Sequence, residues 1–143
     1  SALKILEKYQ KVQVKEAVEE TLVAKASEIV KEQRKQMSKG QASDGKPFIN
    51  RNTGKDEYTL GYAKKKGKSK PIDLDDKGDF QKDIFLDVRS DKFILDSADD
   101  KTDKLLKQFG GNIFGLSSES KSEIKPILQK ELKAQVLKQV QKA

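Results

Sequence analysis

Apolar and polar residues alternate most regularly near the middle of the chain. Within residues 80–88 the even-numbered positions are mainly apolar and the odd-numbered positions mainly polar, which is typical of a β-strand with one buried face. A second β-rich run, residues 93–98, follows the polar segment 89–92. A four-residue polar connection between two such runs predicts a β-hairpin. We therefore expect residues 71–98 to form a hairpin core that the other elements flank.

The N-terminal part of the chain has the pattern of helix. Residues 3–38 contain no Gly or Pro and predict one long helix, or two helices with a break. Apolar residues share one face in its later part, namely Val18, Leu22, Ala26, Ile29, Val30 and Met37. An upstream stripe of Ile5, Tyr9 and Val12 does not line up with that face, so it is a candidate contact with a neighbouring subunit. Gly40 is expected to end the helix.

The C-terminal part also predicts helices. Residues 103–109 predict a short helix stopped by two glycines, and residues 122–142 predict a longer one. The apolar residues of the longer helix recur four apart, as Ile124, Leu128, Leu132, Val136 and Val140, with Ile127 and Leu137 widening the stripe. Ser120 and Glu123 have the spacing of a capping box, and Pro126 favours a slightly later start, because proline is tolerated only in the first turn.

Residues 40–70 are polar and rich in turn-forming residues. They predict an extended loop that contains at most short strands, for example around residues 58–62. Five residues would anchor this loop by packing, namely Phe48, Ile49, Tyr58, Leu60 and Tyr62. Of these, Phe48, Tyr58 and Tyr62 are further candidates for a subunit interface. Two interpretations remain open: a surface loop tethered to the domain, or an arm that becomes ordered against a partner.

The composition narrows the fold and the chemistry. The prediction is one α+β domain over residues 1–143: long helix 3–38, loop or arm 40–70, β-hairpin core 71–98, and a short helix and a C-terminal helix within 101–142 that pack on a small antiparallel sheet. Charged residues make up 37% and apolar residues 34%, so the core is lean and assembly with other copies would bury more surface. We expect a soluble cytoplasmic protein, since neither a signal-peptide pattern nor an apolar run of membrane-spanning length is present.

Most catalytic and metal-binding chemistry is excluded by the residue types. The chain contains no cysteine and no histidine, which removes disulfides, thiolate catalysis and the commonest general base and metal ligand. We therefore predict no enzyme activity, no cofactor and no metal site.

Three sequence patterns resemble binding or catalytic motifs, and we reject or discount each of them. Residues 40–46 have P-loop spacing, but Pro47 stands where Ser or Thr is needed, and residues 61–69 have one residue too many between the glycines. The acidic turn 73–79 lacks a calcium-loop pattern because Lys77 occupies a ligand position, so a turn that caps a strand is favoured. A hydrolase that uses carboxylates of this turn remains a distant third hypothesis.

The densest positive charge lies shortly after two tyrosines. The net charge is +7, and the cluster comprises Lys64, Lys65, Lys66, Lys68 and Lys70. Tyr58 and Tyr62 precede these lysines, so bases of a single strand could stack there. The absence of arginine within the cluster favours a solvated loop or a non-specific phosphate contact over specific recognition.

In their order along the chain, several short segments resemble the virion morphogenesis proteins of tailed bacteriophages, also called tail-completion or head–tail joining proteins. The resemblance covers about residues 30–140, and is carried by residues 36–37, 44–48, 62–66, 74–80, 101–105, 108–110 and 113–116. Lys77 replaces the threonine that usually precedes the glycine of the strand start, and the Arg-Pro-Phe signature of the commoner tail-component relatives is absent.

The resemblance implies a structural role without catalytic residues. Members of this family are small α+β proteins that form homo-oligomeric rings in the neck or upper tail, where they join the portal or connector to the tail around the DNA channel. The expected partners are copies of the chain itself, portal or connector and tail proteins, and packaged DNA through non-specific contacts, with no membrane. The expected location is the virion, assembled in the cytoplasm of the bacterial host. The alternative is a small basic protein that binds nucleic acid non-specifically through residues 64–70.

Overall fold

Helices flank a two-stranded antiparallel hairpin, and the fold is α+β as predicted. The computed structural model describes residues 2–75 and 79–142, apart from the side chains of residues 6, 8, 9, 11–13, 79 and 142. The elements are α1 (Ala2–Ala24), α2 (Ala26–Ser38), α3 (Leu60–Lys66), α4 (Asp79–Lys82), β1 (Ile84–Arg89), β2 (Lys92–Ser97), α5 (Thr102–Phe109), a 3₁₀ turn (Gly111–Ile113) and α6 (Ser118–Lys142).

The hairpin has the inward and outward faces that the alternating pattern predicts. Ile84 pairs with Ser97 and Arg89 pairs with Lys92, so the turn consists of only two residues rather than four. Its first residue, Ser90, has a φ of 58°, which a tight hairpin turn requires. The inner face of the hairpin contributes to the core, whereas Phe85 on the outer face is exposed.

The first strand begins later than expected, because residues 79–82 are helical. Phe80 is buried in the core as predicted, but it belongs to this short helix and not to a strand. Arg34 of α2 donates to the carbonyls of Gln81 (2.7 Å) and Lys82 (2.8 Å), and the Ser97 hydroxyl donates to the Phe80 carbonyl (3.0 Å). These side chains satisfy backbone groups that a continued strand would pair with a neighbour.

Of the two arrangements predicted for residues 3–38, the structure has two helices with a break, because Lys25 separates α1 from α2. The later apolar face is confirmed as core, since Leu22, Ile29, Val30 and Met37 are buried. Helix α2 is central, because it packs on β1, α6 and α1.

Two buried glutamines of α2 hold the segment that leads into α6. Gln36 donates from Nε2 to the Gly115 carbonyl (2.8 Å) and accepts the Ser117 amide on Oε1 (2.8 Å). The Oε1 atom of Gln33 accepts the amide of Gly115 (2.8 Å). Both side chains are nearly inaccessible to solvent, so these bonds are made without competition from water.

The predicted strand around residues 58–62 is wrong, because residues 60–66 form α3. Leucine, alanine and lysine favour a helix here, and no strand lies alongside to pair with an extended segment among the described residues. Gly67 ends the helix with a φ of 81°, and its amide donates to the Ala63 carbonyl (2.8 Å). The preceding loop contains only isolated bridges, between Gln41 and Pro47 and between Asn50 and Lys55. The prediction that Ile49 and Leu60 anchor residues 40–70 by packing is wrong, because their side chains are 48% and 85% exposed.

Helix α6 begins four residues before the predicted start and includes Pro126 in its interior. The hydroxyl of Ser117 accepts the Ser120 amide (3.2 Å), so Ser117 caps the helix and the predicted Ser120–Glu123 capping box is wrong. The long helix therefore begins where the glutamines of α2 hold the chain.

The four-residue apolar stripe of α6 faces the core only in its first half. Ile124 is buried and Leu128 is partly buried, but farther along Gln135 and Gln139 are buried while Val136 and Val140 are exposed. A four-residue step turns about 40° past a full helical turn, so a strict repeat of four drifts off any one face. The drift leaves apolar side chains on the outer surface near the C-terminus.

A substitution at Gly40 would test how closely the end of α2 packs against Pro71. It has a φ of 74°, and an added Cβ would lie 2.5 Å from Pro71 Cβ. We expect Gly40→Ala to lower the free energy of unfolding by about 3 kcal/mol, through backbone strain and overpacking together. Gly45→Ala is the matched control, because Gly45 has a φ of 80° and nothing within 4 Å of the added Cβ. The control should cost about 1 kcal/mol in urea unfolding, and equal losses in both variants would contradict the close packing.

Candidate functional site

A cleft of about 600 Å³ opens between α3 and α5. Apolar side chains line its interior, namely Leu74, Phe80, Leu105 and Phe109. Tyr58 and Tyr62 form one wall, and lysines of α5 and the residue before it, Lys101, Lys104 and Lys107, lie along another. Further polar groups of the lining belong to Asn50, Asn52, Asp75 and Gln108. Such a mixture is typical of a surface that receives a partly apolar partner.

Tyr58 organises the wall of the cleft beside α3. Its hydroxyl donates to Asp73 Oδ1 (2.9 Å) and accepts both the Asp73 amide (3.1 Å) and Lys66 Nζ (2.9 Å). The Tyr58 and Tyr62 ring centroids lie 4.9 Å apart, and Lys66 Nζ lies 4.7 Å from the Tyr58 centroid. The tyrosine is thus fixed on both its hydroxyl and its ring face, which makes this wall rigid.

Asp73 is a buried carboxylate with two lysine partners. Lys66 and Lys68 each approach a different carboxylate oxygen to 2.5 Å, and the Asp75 amide donates at 3.1 Å. Burial alone would raise the pKa of Asp73, but the hydrogen bonds from Lys66, Lys68, Asp75 and Tyr58 outweigh it and lower the pKa to about 2. Burial likewise opposes the charge of Lys66, yet its bonds to Asp73 and Tyr58 leave its pKa raised.

The five lysines predicted to face a partner or DNA fall into two groups. Lys66 and Lys68 are bound to Asp73, so their ammonium groups already have an anion. Lys64, Lys65 and Lys70 are exposed, on α3 and in the segment that follows it. The acidic turn is likewise divided: Asp73 is structural, whereas residues 76–78 and the side chain of Asp79 lie outside the described residues.

The predicted subunit-interface residues occupy three different environments. Phe48 is only 3% exposed and belongs to the core, so its side chain is unavailable to a neighbour in this conformation, and that expectation needs correction. Tyr58 and Tyr62 are partly buried in the cleft wall, and Ile5 is exposed on α1. The side chains of Tyr9 and Val12 lie outside the described residues.

The sequence did not reveal the lysine wall of the cleft. Lys104 and Lys107 lie three residues apart on α5, and their shared face could have been recognised from that spacing. Their position opposite Tyr58 could not, because it depends on how α3 and α5 pack. Within the described residues, no group of three acidic side chains is placed to hold a metal ion, and no helix combines the length and apolar character of a membrane span.

The ionisation of Asp73 predicts a specific dependence of stability on acid. The pKa is lower in the folded state (about 2) than the ordinary value of 3.8, so the unfolded chain takes up the proton first as the pH falls. The stabilisation is therefore complete above about pH 4 and is lost between about pH 4 and 2, by roughly 2 kcal/mol. In Asp73→Asn, urea unfolding between about pH 4 and 2 should no longer show this loss of unfolding free energy. Asp75→Asn is the matched control, because it changes an exposed side chain and keeps the backbone amide that donates to Asp73, so the part of the slope that Asp73 causes should remain. A wild-type slope in Asp73→Asn would disprove the assignment.

Comparison of the chain with family models, with curated proteins and with solved structures finds no match. The ordered segments of the sequence and the surfaces of the described residues are therefore the observations that bear on function.

Proposed function

We propose that this chain is a structural virion protein of a tailed phage. In this proposal its copies form a homo-oligomeric ring at the head–tail connector, the neck or the upper tail, and the ring joins the portal or connector to the tail around the DNA channel. The ordered segments that resemble virion morphogenesis proteins support the assignment. The protein would act in the virion, after assembly in the cytoplasm of the bacterial host.

The structural observation that carries the proposal is the apolar surface left on α1 and α6. Ile5 is 72% exposed, and Leu137 and Val140 are 60% and 62% exposed. Leu3 and Val14 of α1 are also exposed, and α1 packs along α6. In a highly charged chain with few apolar residues, exposed apolar side chains on two long helices are typical of a contact between subunits, where they would be removed from water.

The exposed lysines fit the same role. Lys64, Lys65 and Lys70 would meet the phosphates of DNA in the channel, or an acidic surface on an adjoining ring. Such contacts are independent of base sequence, as passage of a whole genome requires.

Electron microscopy of virions tests the proposed ring directly. We expect symmetry-averaged electron microscopy of virion necks to show this chain as discrete density repeated around the DNA channel. Particles made without it should accumulate as separate heads and tails. A chain that is absent from virions, remains monomeric, and binds DNA in a manner lost on neutralising Lys64, Lys65 and Lys70 would instead be a small nucleic-acid-binding protein.

Substitutions on the apolar surface should separate assembly from folding. Ile5→Lys and Leu137→Lys change exposed positions, so each should alter the free energy of unfolding by less than about 0.5 kcal/mol while reducing incorporation into particles. Leu60→Lys is the matched control, because Leu60 is exposed on α3 and lies outside the α1–α6 surface. Incorporation is measured by quantifying the chain in purified particles, and unchanged incorporation of both variants would refute this use of the surface.

A further inference from the structure

We propose that the acidic face of α1 in one subunit docks into the cleft between α3 and α5 of the next subunit. This inference rests on the proposed function and specifies how neighbouring subunits would contact each other. The occupant of the cleft is a second copy of this chain. Both sides of the contact are formed by described residues.

The acidic face has the spacing of a helical stripe. Glu16, Glu19, Glu20 and Val23 follow at steps of three, four and seven residues, so their side chains project from one side of α1. The three carboxylates are exposed, and Val23 is 61% exposed at the end of the row. Among the described residues, none of these carboxylates forms an ion pair. The face therefore offers uncompensated negative charge beside an apolar side chain.

The cleft offers the complementary arrangement. Lys104 and Lys107 are exposed on α5, and neither belongs to an ion pair within the part of the chain that the structure describes. Behind them, Leu105 and Phe109 form apolar walls that could receive Val23. Carboxylates would thus meet ammonium groups at the rim while an apolar side chain enters the interior, as in a specific protein interface.

The two surfaces are made by different parts of the chain. The depression beside the acidic face is lined by α1 and by Gln135 of α6, whereas α1 and α6 contribute nothing to the cleft. One subunit can therefore present its acidic face to one neighbour and its cleft to another. A contact of this heterologous kind propagates from copy to copy and closes into a ring when the rotation allows.

The residues that line the cleft also suit α1 of a second copy better than they suit nucleic acid. The exposed carboxylate of Asp75 lines the cleft and would repel a phosphate there, and the Tyr58 hydroxyl is already occupied by Asp73 and Lys66. A helix that carries both carboxylates and an apolar side chain can pair its carboxylates with Lys104 and Lys107 while the apolar side chain contacts the apolar lining.

Zero-length carbodiimide coupling tests the contact in the wild-type protein. The reagent joins a carboxylate to an ammonium group only when the two touch, and a mixture of ¹⁵N-labelled and unlabelled protein distinguishes links between subunits from links within one. We expect mixed-isotope peptides that join Glu16, Glu19 or Glu20 to Lys104 or Lys107, both at high protein concentration and in assembled particles. Mixed-isotope links confined to other residues, or no such link in either sample, would overturn the proposal.

Charge exchange provides the second test, measured by sedimentation equilibrium or by incorporation into particles. Glu16→Lys with Glu20→Lys, and separately Lys104→Glu with Lys107→Glu, should each weaken self-association by at least about tenfold. Mixing the two variants should restore association, because each then meets an opposite charge at every contact. Lys121→Glu with Lys125→Glu is the matched control, because both lysines are exposed near the start of α6 and lie outside the cleft, and this variant should associate like the wild type.

The outcomes distinguish this contact from the proposed function. If the chain forms a ring in virion necks but the exchanged variants assemble normally, the contact is wrong and the ring stands. If the predicted links form but the chain is absent from virions, the contact stands and the virion role fails. Protection of Lys104 and Lys107 by single-stranded DNA, without links between subunits, would assign the cleft to nucleic acid and overturn the self-docking proposal.

Discussion

The pair of buried glutamines on α2 is the contact on which the arrangement of the long helices depends. Gln33 and Gln36 fix the backbone at Gly115 and Ser117, and α6 begins immediately afterwards. Apolar side chains alone could slide along one another by a turn, whereas these amides match particular backbone groups at a fixed separation. In a chain with few apolar residues, hydrogen bonds therefore help to fix the relative positions of the helices, which in a larger protein the packing of the core would fix.

The same principle operates at the opposite side of the molecule. Asp73 joins α3 to the segment before the hairpin through Lys66, Lys68 and Tyr58, and this junction sets the tyrosine wall of the cleft. Breaking one partner of such a group leaves a buried charge or hydroxyl without compensation, which costs more than the bond itself contributes. The cleft and the apolar surface of α6 are thus both placed by polar contacts between segments distant in sequence.

Secondary-structure elements that depend on contacts between residues near in sequence were predicted, whereas features that depend on contacts between residues distant in sequence were missed. The two strands, α5 and the core face of α2 follow from local periodicity, and each was predicted. The start of β1 was missed because Arg34 donates to the carbonyls of Gln81 and Lys82, which lie 47 and 48 residues farther along the chain. A local sequence pattern cannot indicate such a long-range contact. Of the candidate site, Tyr58 and Tyr62 were recognised as aromatic neighbours of lysines, but their position opposite α5 required the tertiary structure.

The pairing of Asp73 with two lysines changes how the basic cluster would act on a polyanion. Counting residues 64–70 gives five ammonium groups, yet Lys66 and Lys68 share one carboxylate and cannot follow a phosphate without leaving it. The other three lysines would release about three ions from DNA, and the group of two lysines and one carboxylate, with one net positive charge, at most about one more, so salt would weaken the contact less steeply than five lysines suggest. If the chain lines a DNA channel as proposed, this weaker electrostatic attraction would let the DNA slide past without being retained.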